Sequence, residues 1–459
     1  MRGGSLQRRP TDSALAVSPL AHVSPALLAL GVFFSVAVLF TVLLALPISA
    51  ADGRATPLHD ALFTAFSAVT VTGLVSLETA THWSFFGQLV ILLGVQTGGL
   101  GIVTIALLLA RAVTRSFGVR SRIFAQQGIG TSKLGEVQSL LRIVVVTTFV
   151  IEAVLAAVLL PAFILSEDSV PLGAWHAVFY SVSAFNNAGF AANEGGLAAF
   201  DGNLFILVPI MVGVLVGSFG FPVFLVLMMS RHHWRRWSLH AKLTLAVTGA
   251  LLVAGALVWA AFEWSNPATI GGMSPAEKLF HALFSSVMMR SGGFSLLDTG
   301  ASQPITLLAT DALMFVGGGS ASTAGGIKVT TIAILFLAII AEAKGDREVM
   351  IFGRTLPQGA LRVAISVTFL GATLVLGGTA AIMLVSDEPL DRILFEVISA
   401  FATCGLSVGL SEQLTPAGKY ILAALMFAGR IGPIGLASAL AIRRRNLHYR
   451  YPEETPVIG

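Results

Sequence analysis

Long apolar stretches alternate with shorter, weakly apolar stretches along most of the chain. The long stretches cover residues 25–47, 84–110, 138–164, 203–229, 241–262, 303–342, 360–386 and 417–442. All except the sixth are close to the roughly 20 residues with which a helix crosses the apolar layer of a bilayer. The sixth would form a helix about 60 Å long, roughly twice that layer. Glycine, serine, alanine and threonine fill positions 317–326, so the pattern predicts a break there.

The shorter stretches recur four times, and each leads into a glycine turn. They cover residues 58–70, 174–186, 275–289 and 390–403, and the turn glycines are Gly73, Gly189, Gly293 and Gly405. Helices of this length cannot span a bilayer, and re-entrant segments persist only when protein buries them or when they line a water-filled cavity. The recurrence predicts repeated membrane units, each with a long helix, a half-helix, a glycine turn and a second long helix.

The predicted fold is therefore an all-α polytopic membrane protein. Four tandem repeats, with eight transmembrane helices and four re-entrant half-helices, surround one pseudo-fourfold pore. The predicted parts are a tail (1–24), repeat 1 (25–112), a loop (113–137), repeat 2 (138–231), repeat 3 (240–342), a loop (343–358), repeat 4 (359–445) and a tail (446–459). The first apolar run is longer than the core of a signal peptide, so we interpret it as a retained helix.

Composition and charge agree with a membrane protein. Hydrophobic residues make up 55% of the chain and charged residues 11%, with a mean hydropathy of +0.84, whereas soluble domains carry about 25% charged residues. Of 28 lysines and arginines, 21 fall on one side of the predicted membrane and five on the other. The positive side is expected to be cytoplasmic, which places both termini inside and the glycine turns outside.

Several classes of function find no support in the sequence. The predicted membrane segments carry no cluster of metal ligands and no Ser/His/Asp group, and no phosphate-binding loop follows a strand. We therefore expect no enzyme activity, no cofactor and no structural metal site in this chain. Basic residues are not interleaved with exposed aromatic residues, which argues against nucleic-acid binding.

The glycine turns have the chemistry of an ion selectivity filter. A dehydrated cation needs oxygen ligands, and rings of backbone carbonyls supply them. Glycine permits backbone angles that a Cβ forbids, and the half-helices point their partially negative C-terminal ends at the turns. A single such glycine is more simply a helix cap, but four at matching places favour a filter. The candidate filter residues are Thr70, Val71, Thr72, Gly73, Asn186, Asn187, Ala188, Gly189, Arg290, Ser291, Gly292, Gly293, Ala402, Thr403, Cys404 and Gly405.

Two cations, Lys328 and Arg430, lie inside apolar stretches. Arg430 is about 20 Å along its helix from either end, and a buried arginine is costly unless it faces a cavity or a partner. One explanation places its charge in the wall of the pore. The other is a structural pair with a buried acid such as Glu396, Glu152 or Asp311. The same two explanations, a charge in the pore wall or a structural pair, apply to Lys328. Glu396 is expected to form hydrogen bonds with backbone groups near the filter.

The four turns resemble the pore loops of a known superfamily. They read VTVTGL (69–74), SAFNNAGF (183–190), RSGGF (290–294) and SAFATCGL (399–406). These sequences are similar to those of the Trk/Ktr/HKT superfamily of potassium transporters, over about residues 25–445. The third turn differs from the more usual RTAGF, and Cys404 is also less usual. Both departures leave the filter glycines intact.

The resemblance implies potassium uptake by the membrane subunit of a Ktr-type system in the bacterial inner membrane. It further implies a homodimer with one pore per protomer, on a cytoplasmic ring of nucleotide-binding regulatory subunits. Potassium would be the transported ion, and sodium is a candidate coupling or activating ion. The alternative is a secondary transporter, or a pore for sodium or ammonium.

The break in the sixth stretch resembles the superfamily's intramembrane gating loop. That resemblance implies a loop below the filter that blocks the pore until the regulatory ring moves; the alternative is a packing kink. The candidate gate residues are Gly317, Gly318, Gly319, Ser320, Ala321, Ser322, Thr323, Ala324, Gly325, Gly326 and Lys328. Small residues with weak helical preference can change conformation at low cost.

Overall fold

A computed structural model describes residues 25–432, with gaps at 117–136, 168, 231–232 and 347. The described chain is mostly helical. The helices are α1 (Pro25–Ala45), α2 (Leu58–Thr70), α3 (Thr79–His82), α4 (Phe85–Ser116), α5 (Val137–Ser166), α6 (Val170–Phe185), α7 (Leu204–Phe219), α8 (Phe221–Ser230), α9 (Leu239–Glu263), α10 (Pro275–Met288), α11 (Pro304–Phe315), α12 (Val329–Lys344), α13 (Gln358–Met383), α14 (Leu390–Ala402), α15 (Leu410–Gln413) and α16 (Pro416–Ile431). A small hairpin pairs β1 (Met350–Ile351) with β2 (Arg354–Thr355).

Some predicted segments lie outside the described residues. These are the tail 1–24, most of the loop 113–137, the end of the fourth repeat beyond residue 432 and the tail 446–459. The first four residues of the predicted loop continue α4 to Ser116.

Three described helices are long and apolar enough to cross a membrane: Arg142–Ser166, Leu239–Glu263 and Gly359–Met383. A fourth span passes the same test if α7 and α8 are counted together, although the two are bent by 100°. Shorter apolar helices cover Leu30–Ala45, Phe85–Gly101 and Pro304–Phe315.

Short helices lead into all four glycine turns. Helices α2, α10 and α14 lie within one residue of their predicted bounds. Helix α6 begins four residues earlier than predicted because Ser169 caps it, accepting a hydrogen bond from the backbone N of Leu172 at 3.3 Å. Each short helix has a phenylalanine with an exposure of 0 or 1% that lies nine or ten residues before the turn glycine: Phe63, Phe179, Phe284 and Phe395. Their equivalent places support the interpretation of the four segments as repeats.

Within the described residues, two of the long apolar stretches are broken. In a third, 417–442, α16 ends at Ile431, so Arg430 lies in the last turn of its helix and not in the middle as predicted. The break between α11 and α12 was predicted. The stretch 203–229, however, was interpreted as one helix, and the structure interrupts it at Gly220, which has φ +88°. Pro222 explains the difference, because it has no N–H to donate to the carbonyl of Ser218 and its ring would clash with that carbonyl in a continuous helix.

Helices from near the two ends of the described residues meet at one seam, where α16 packs against α2. Phe33, Phe66 and Phe427 form an aromatic cluster there, with ring centroids 5.7–5.9 Å apart. A buried ion pair joins Lys419 Nζ on α16 to Asp60 Oδ1 on α2 at 2.6 Å. These contacts bring the helix after the fourth glycine turn against the helix before the first. The four short helices can therefore be arranged around one centre.

Candidate functional site

The four glycine turns form a closed ring of backbone contacts. A Cβ added at Gly73 would lie 3.2 Å from Cα of Gly189, and one at Gly189 would lie 3.0 Å from Cα of Gly293. One at Gly293 would lie 3.2 Å from Cα of Gly405. One at Gly405 would lie 3.2 Å from the carbonyl carbon of Thr72, which returns to the first turn. Residues more than 330 positions apart in the chain are thus direct neighbours.

Glycine is required at these positions for two reasons. The φ angles of Gly73, Gly189, Gly293 and Gly405 are +91°, +71°, +71° and +95°, values that favour glycine. There is also no room for a side chain, because a Cβ at Gly73 would collide with the carbonyl oxygen of Ala188. The backbone of each turn can therefore approach its neighbour as closely as it does only without a Cβ.

Three of the four turns share a second unusual residue, two positions before the glycine. Val71, Asn187 and Thr403 have φ angles of +57°, +60° and +46°. Such angles cost roughly 1–3 kcal/mol and persist where the surrounding structure fixes them. The third turn differs, since Ser291 is not left-handed and a second glycine follows it. The turns are therefore equivalent in position but not identical in conformation.

A serine six residues before the glycine supports three of the turns. Ser67 Oγ accepts a hydrogen bond from the backbone N of Gly73 at 3.0 Å, and Ser399 Oγ accepts one from Gly405 at 3.1 Å. Ser183 Oγ donates to the carbonyl of Phe190 at 2.8 Å. Sequence reasoning did not assign a role to these serines, although their constant spacing from the glycine was visible.

Glycines on the following long helices pack against the ends of the short helices. Each of these helix glycines is paired with the residue that lies four positions before a turn glycine. A Cβ added to the helix glycine would lie 3.0 Å or less from the carbonyl carbon of that residue. The pairs are Gly98 with Val69, Gly217 with Phe185, and Gly429 with Phe401. Sequence reasoning missed these glycines too, because long apolar helices contain many glycines and only the fold shows which ones face a carbonyl.

The segment between α11 and α12, residues 316–328, lies against the bases of two turns. Thr323 Oγ1 donates to the carbonyl of Phe185 at 3.2 Å. Gly325 packs so closely against the fourth turn that an added Cβ would lie 2.7 Å from the carbonyl oxygen of Ala402. The predicted gate residues are thus brought directly to the candidate filter residues.

The break between α7 and α8 holds this segment from another side. Gly319 N donates to the carbonyl of Ser218 at 2.8 Å, and Phe221 N donates to the carbonyl of Ala321 at 3.3 Å. Pro222 leaves the Ser218 carbonyl without a helical donor. The unpredicted helix break therefore supplies an acceptor and a donor for the segment.

Both cations inside the apolar stretches also bind this segment. Arg430 is 5% exposed, and its guanidinium donates to the carbonyl of Thr323. Lys328 Nζ donates to the carbonyl of Ala324 at 2.6 Å and lies 3.3 Å from that of Gly325. Their partners are backbone carbonyls of one segment.

Arg430 makes no ion pair within the described chain, which contradicts the structural-pair alternative. Glu396 Oε2 accepts from the backbone N of Val408 at 3.3 Å, and Oε1 accepts from that of Ser411 at 3.0 Å, so it bonds backbone as expected. Glu152 is hydrogen-bonded to amide side chains.

Two side chains of the candidate filter point away from the ring of turns. Arg290 is buried, and its guanidinium donates to the carbonyl and hydroxyl oxygens of Thr248 on α9, at 3.3 and 3.4 Å. The buried thiol of Cys404 donates to the carbonyl of Met289 at 3.3 Å, which joins the fourth turn to the end of α10. Both contacts fix backbone that takes part in the ring.

Fold and site together define a helical membrane protein with a central ring of backbone turns and a buried segment beneath it. The sequence profile of the TrkH family, described as cation transport protein, matches residues 33–446. This chain belongs to that family.

Individual relatives agree with this assignment. The chain is 36% identical over 436 residues to the Ktr system potassium uptake protein B of Bacillus subtilis, covering 94% of this chain and 95% of the relative. It is 33% identical to the potassium/sodium uptake protein NtpJ of Enterococcus hirae, covering 95% and 98%. The crystal structure of the potassium transporter TrkH from Vibrio parahaemolyticus has the same fold, with a TM-score of 0.71 at 19% identity over 90% of this chain and 86% of that one.

Proposed function

We propose that this protein takes up potassium through a pore whose narrowest part is the ring of four glycine turns. The observation that carries this proposal is the closed cycle of contacts from Gly73 through Gly189 and Gly293 to Gly405. Turns this close can present their carbonyl oxygens to one ion. Relatives that cover nearly the whole chain are named for potassium uptake, which supports potassium as the ion.

The ends of four short helices supply the electrostatics. Helices α2, α6, α10 and α14 end at the turns, and a helix C-terminus carries a partial negative charge that favours a cation. Carbonyl oxygens in a ring replace the hydration shell of the ion. In this proposal the carbonyls of the two or three residues before each glycine are the ligands, and no side chain binds the ion directly.

The finer architecture belongs to the same proposal. Four repeats of long helix, re-entrant half-helix and long helix surround the pore, and the short helices α2, α6, α10 and α14 are the re-entrant parts. The glycine turns face the outside of the bacterial inner membrane, and the termini lie in the cytoplasm. The excess of lysine and arginine in alternate loops supports this orientation.

Residues 316–328 act as the gate in this proposal. The segment is held by Arg430, by the α7–α8 break and by the bases of two turns, so its displacement would open the path below the ring. A cytoplasmic ring of nucleotide-binding subunits would control that displacement in a homodimer of this chain. The name of a relative as part of a Ktr system supports a multi-component assembly.

Arg430→Gln is expected to raise potassium flux measured without the regulatory subunits. Glutamine keeps a donor but removes the charge and shortens the reach to the Thr323 carbonyl, so the segment is held less firmly. We expect a rise of roughly fivefold, because the free energy that holds the segment falls by about 1 kcal/mol, the net contribution of a typical hydrogen bond. Flux at the wild-type level from folded Arg430→Gln protein would remove Arg430 from the gate, and Arg430→Lys is the charge-retaining control.

Gly220→Ala is expected to have a similar effect from the opposite side of the gate. A Cβ at Gly220 would lie 2.5 Å from the carbonyl oxygen of Ser320, so the gate segment must shift. Gly432→Ala is a matched control, because Gly432 has nearly the same backbone angles (φ +80°, ψ 147°, against +88° and 148°), and no atom of the described residues lies within 4 Å of a Cβ added there. Rates that rise only in Gly220→Ala support the gate; equal rates in both variants contradict it.

The proposed function is tested by rubidium and potassium uptake in a bacterial host that lacks its own potassium uptake systems. The chain is expressed with and without Ktr-type regulatory subunits, and with sodium present or absent. Saturable potassium uptake that restores growth at low potassium is the expected result. Sodium uptake alone, from protein that is inserted in the membrane, would favour the sodium alternative instead.

A further inference from the structure

Glu152 is a buried carboxylate near the middle of α5, a helix that is otherwise apolar over most of its length. Its side chain is 4% exposed and makes no ion pair within the described residues. A carboxylate inside a membrane segment is costly and usually marks a functional place. Neither the proposed filter nor the proposed gate uses it directly.

Two amide side chains from two other helices converge on this carboxylate. Asn186 Nδ2 donates to Glu152 Oε1 at 2.9 Å, and Gln96 Nε2 donates to Oε2 at 3.1 Å. Asn186 Nδ2 also lies 3.2 Å from Gln96 Oε1 and 3.0 Å from the carbonyl of Val182. The network therefore joins α4 of the first repeat to α5 and the end of α6 in the second.

The network lies directly behind the second glycine turn. Asn186 caps α6 and precedes the left-handed residue Asn187. The carbonyl immediately before it, on Phe185, accepts the hydrogen bond from Thr323 of the gate segment. On the other side, Gln96 is two residues from Gly98, which packs against the end of α2. Glu152 is thus connected to the supports of both the first and the second turn.

Chemistry explains why a carboxylate occupies this place. Two NH₂ groups point at it, and only an ionised carboxylate accepts on both of its oxygens and donates nothing. A glutamine at the same position would turn its own NH₂ group towards one of the two donors. Hydrogen bonds to a charged acceptor are also about twice as strong as neutral ones, which suits a support that must hold a backbone in place.

The equivalent residues of the other turns are held differently. Thr70 Oγ1 donates within its own short helix, to the carbonyl of Phe66 at 2.6 Å. Ala402 has no polar side chain, and Arg290 donates to Thr248. The residue compared is the one three positions before each turn glycine. Within the described chain, it is bonded to an acid on another helix in the second turn alone.

We infer that Glu152 is a positioning residue that fixes the second turn through Asn186 and thereby helps to set ion selectivity. This inference rests on the proposed potassium pore. Glu152 does not touch the ion; it orients the amide of Asn186 and, through the backbone, the carbonyls of Asn186, Asn187 and Ala188. Loss of this support lets the second turn relax while the other three turns keep theirs.

The test compares potassium and sodium flux in reconstituted Glu152→Gln, Asn186→Asp and the double variant. Asn186→Asp places two carboxylates side by side, and Glu152→Gln replaces an acceptor of two hydrogen bonds by an amide whose NH₂ group must face one of the two donors. We expect potassium-over-sodium discrimination to fall by roughly tenfold in each. The double variant exchanges the two groups and again pairs an amide with a carboxylate. We therefore expect it to recover part of the discrimination, as coupled sites do, while the Val182 carbonyl stays without the donor that Asn186 supplies.

Thr148→Val is the matched control. Thr148 lies one turn before Glu152 on α5, is 1% exposed and has no hydrogen-bond partner for its hydroxyl within the described chain. We expect unchanged discrimination in this variant. Single variants with wild-type selectivity, or a double variant whose loss is the sum of the two, would overturn the inference.

A second variant keeps the test informative if Glu152→Gln folds poorly. Glu152→Asp retains the charge but withdraws the carboxylate by one methylene, and an intermediate loss of discrimination is expected. The amount of folded protein in each sample is measured by size-exclusion chromatography, and each flux is divided by that amount. Wild-type protein is measured in the same series. If the proposed function is wrong, the wild type itself shows no selective potassium transport; if only this inference is wrong, the wild type is selective and the variants keep that selectivity.

Discussion

Gly73→Ser is expected to reduce the discrimination of this protein between potassium and sodium by at least roughly tenfold, equivalent to about 1.4 kcal/mol. The added Cβ cannot be accommodated, because it would collide with the carbonyl oxygen of Ala188 in the second turn. The φ of +91° adds backbone strain for any residue with a Cβ. The first and second turns must therefore move apart, and the carbonyl ring loses the spacing that replaces the hydration shell of potassium.

The matched control for this change is Gly53→Ser. Gly53 is also left-handed, with φ +70°, but within the part of the chain that the structure describes no atom lies within 4 Å of an added Cβ. Serine at position 53 is therefore also strained by a left-handed φ, but it does not collide with the ring of turns. Relative potassium and sodium flux is measured for both variants in liposomes. Selectivity that survives in folded Gly73→Ser protein would remove Gly73 from the filter.

The second large effect is expected from deleting residues 317–326. The ends of the deleted segment already lie side by side, since Val316 forms a β-bridge with Ile327 and Gly317 N donates to the Ile327 carbonyl at 2.9 Å. Because this bridge is parallel, a short glycine linker rather than a direct peptide bond rejoins residues 316 and 327. The deletion removes Thr323 and Gly325 from beneath the turns, so potassium flux without regulatory subunits should rise by roughly tenfold or more, as when a favoured closed state is lost.

A combined variant checks the route of this additional flux. If the ions still pass through the ring, the deletion together with Gly73→Ser should carry potassium and sodium with little discrimination. Flux through the simple deletion should remain selective. If folded deletion protein transports no faster than wild type, residues 317–326 do not close the pore.

Much of the fold was predictable because the signals are local. The half-helix 58–70 was predicted with the bounds that α2 has in the structure, since its apolar pattern and the following glycine lie in one short window. The break at 317–326 was predictable from helix length and the run of small residues. The missed break at Gly220 was also local, because glycine and Pro222 mark it, but the continuous apolar character of the stretch concealed it.

The supports of the site were less predictable because they join distant parts of the chain. The role of Gly217 depends on the carbonyl of Phe185, and that of Arg430 depends on the carbonyl of Thr323, 107 residues away. Every residue has a backbone carbonyl, so the sequence does not show which one serves as a partner. The sequence therefore suggested an acid as the partner of Arg430, whereas the structure shows the Thr323 carbonyl.

The most direct measurement is the relative flux of potassium and sodium through the purified wild-type protein in liposomes, with equal and opposite gradients of the two ions. A selective pore formed by the four glycine turns predicts that potassium moves faster than sodium and that Gly73→Ser, but not Gly53→Ser, removes most of the difference. Equal movement of both ions through folded wild-type protein, or movement of sodium alone, would contradict a potassium-selective ring.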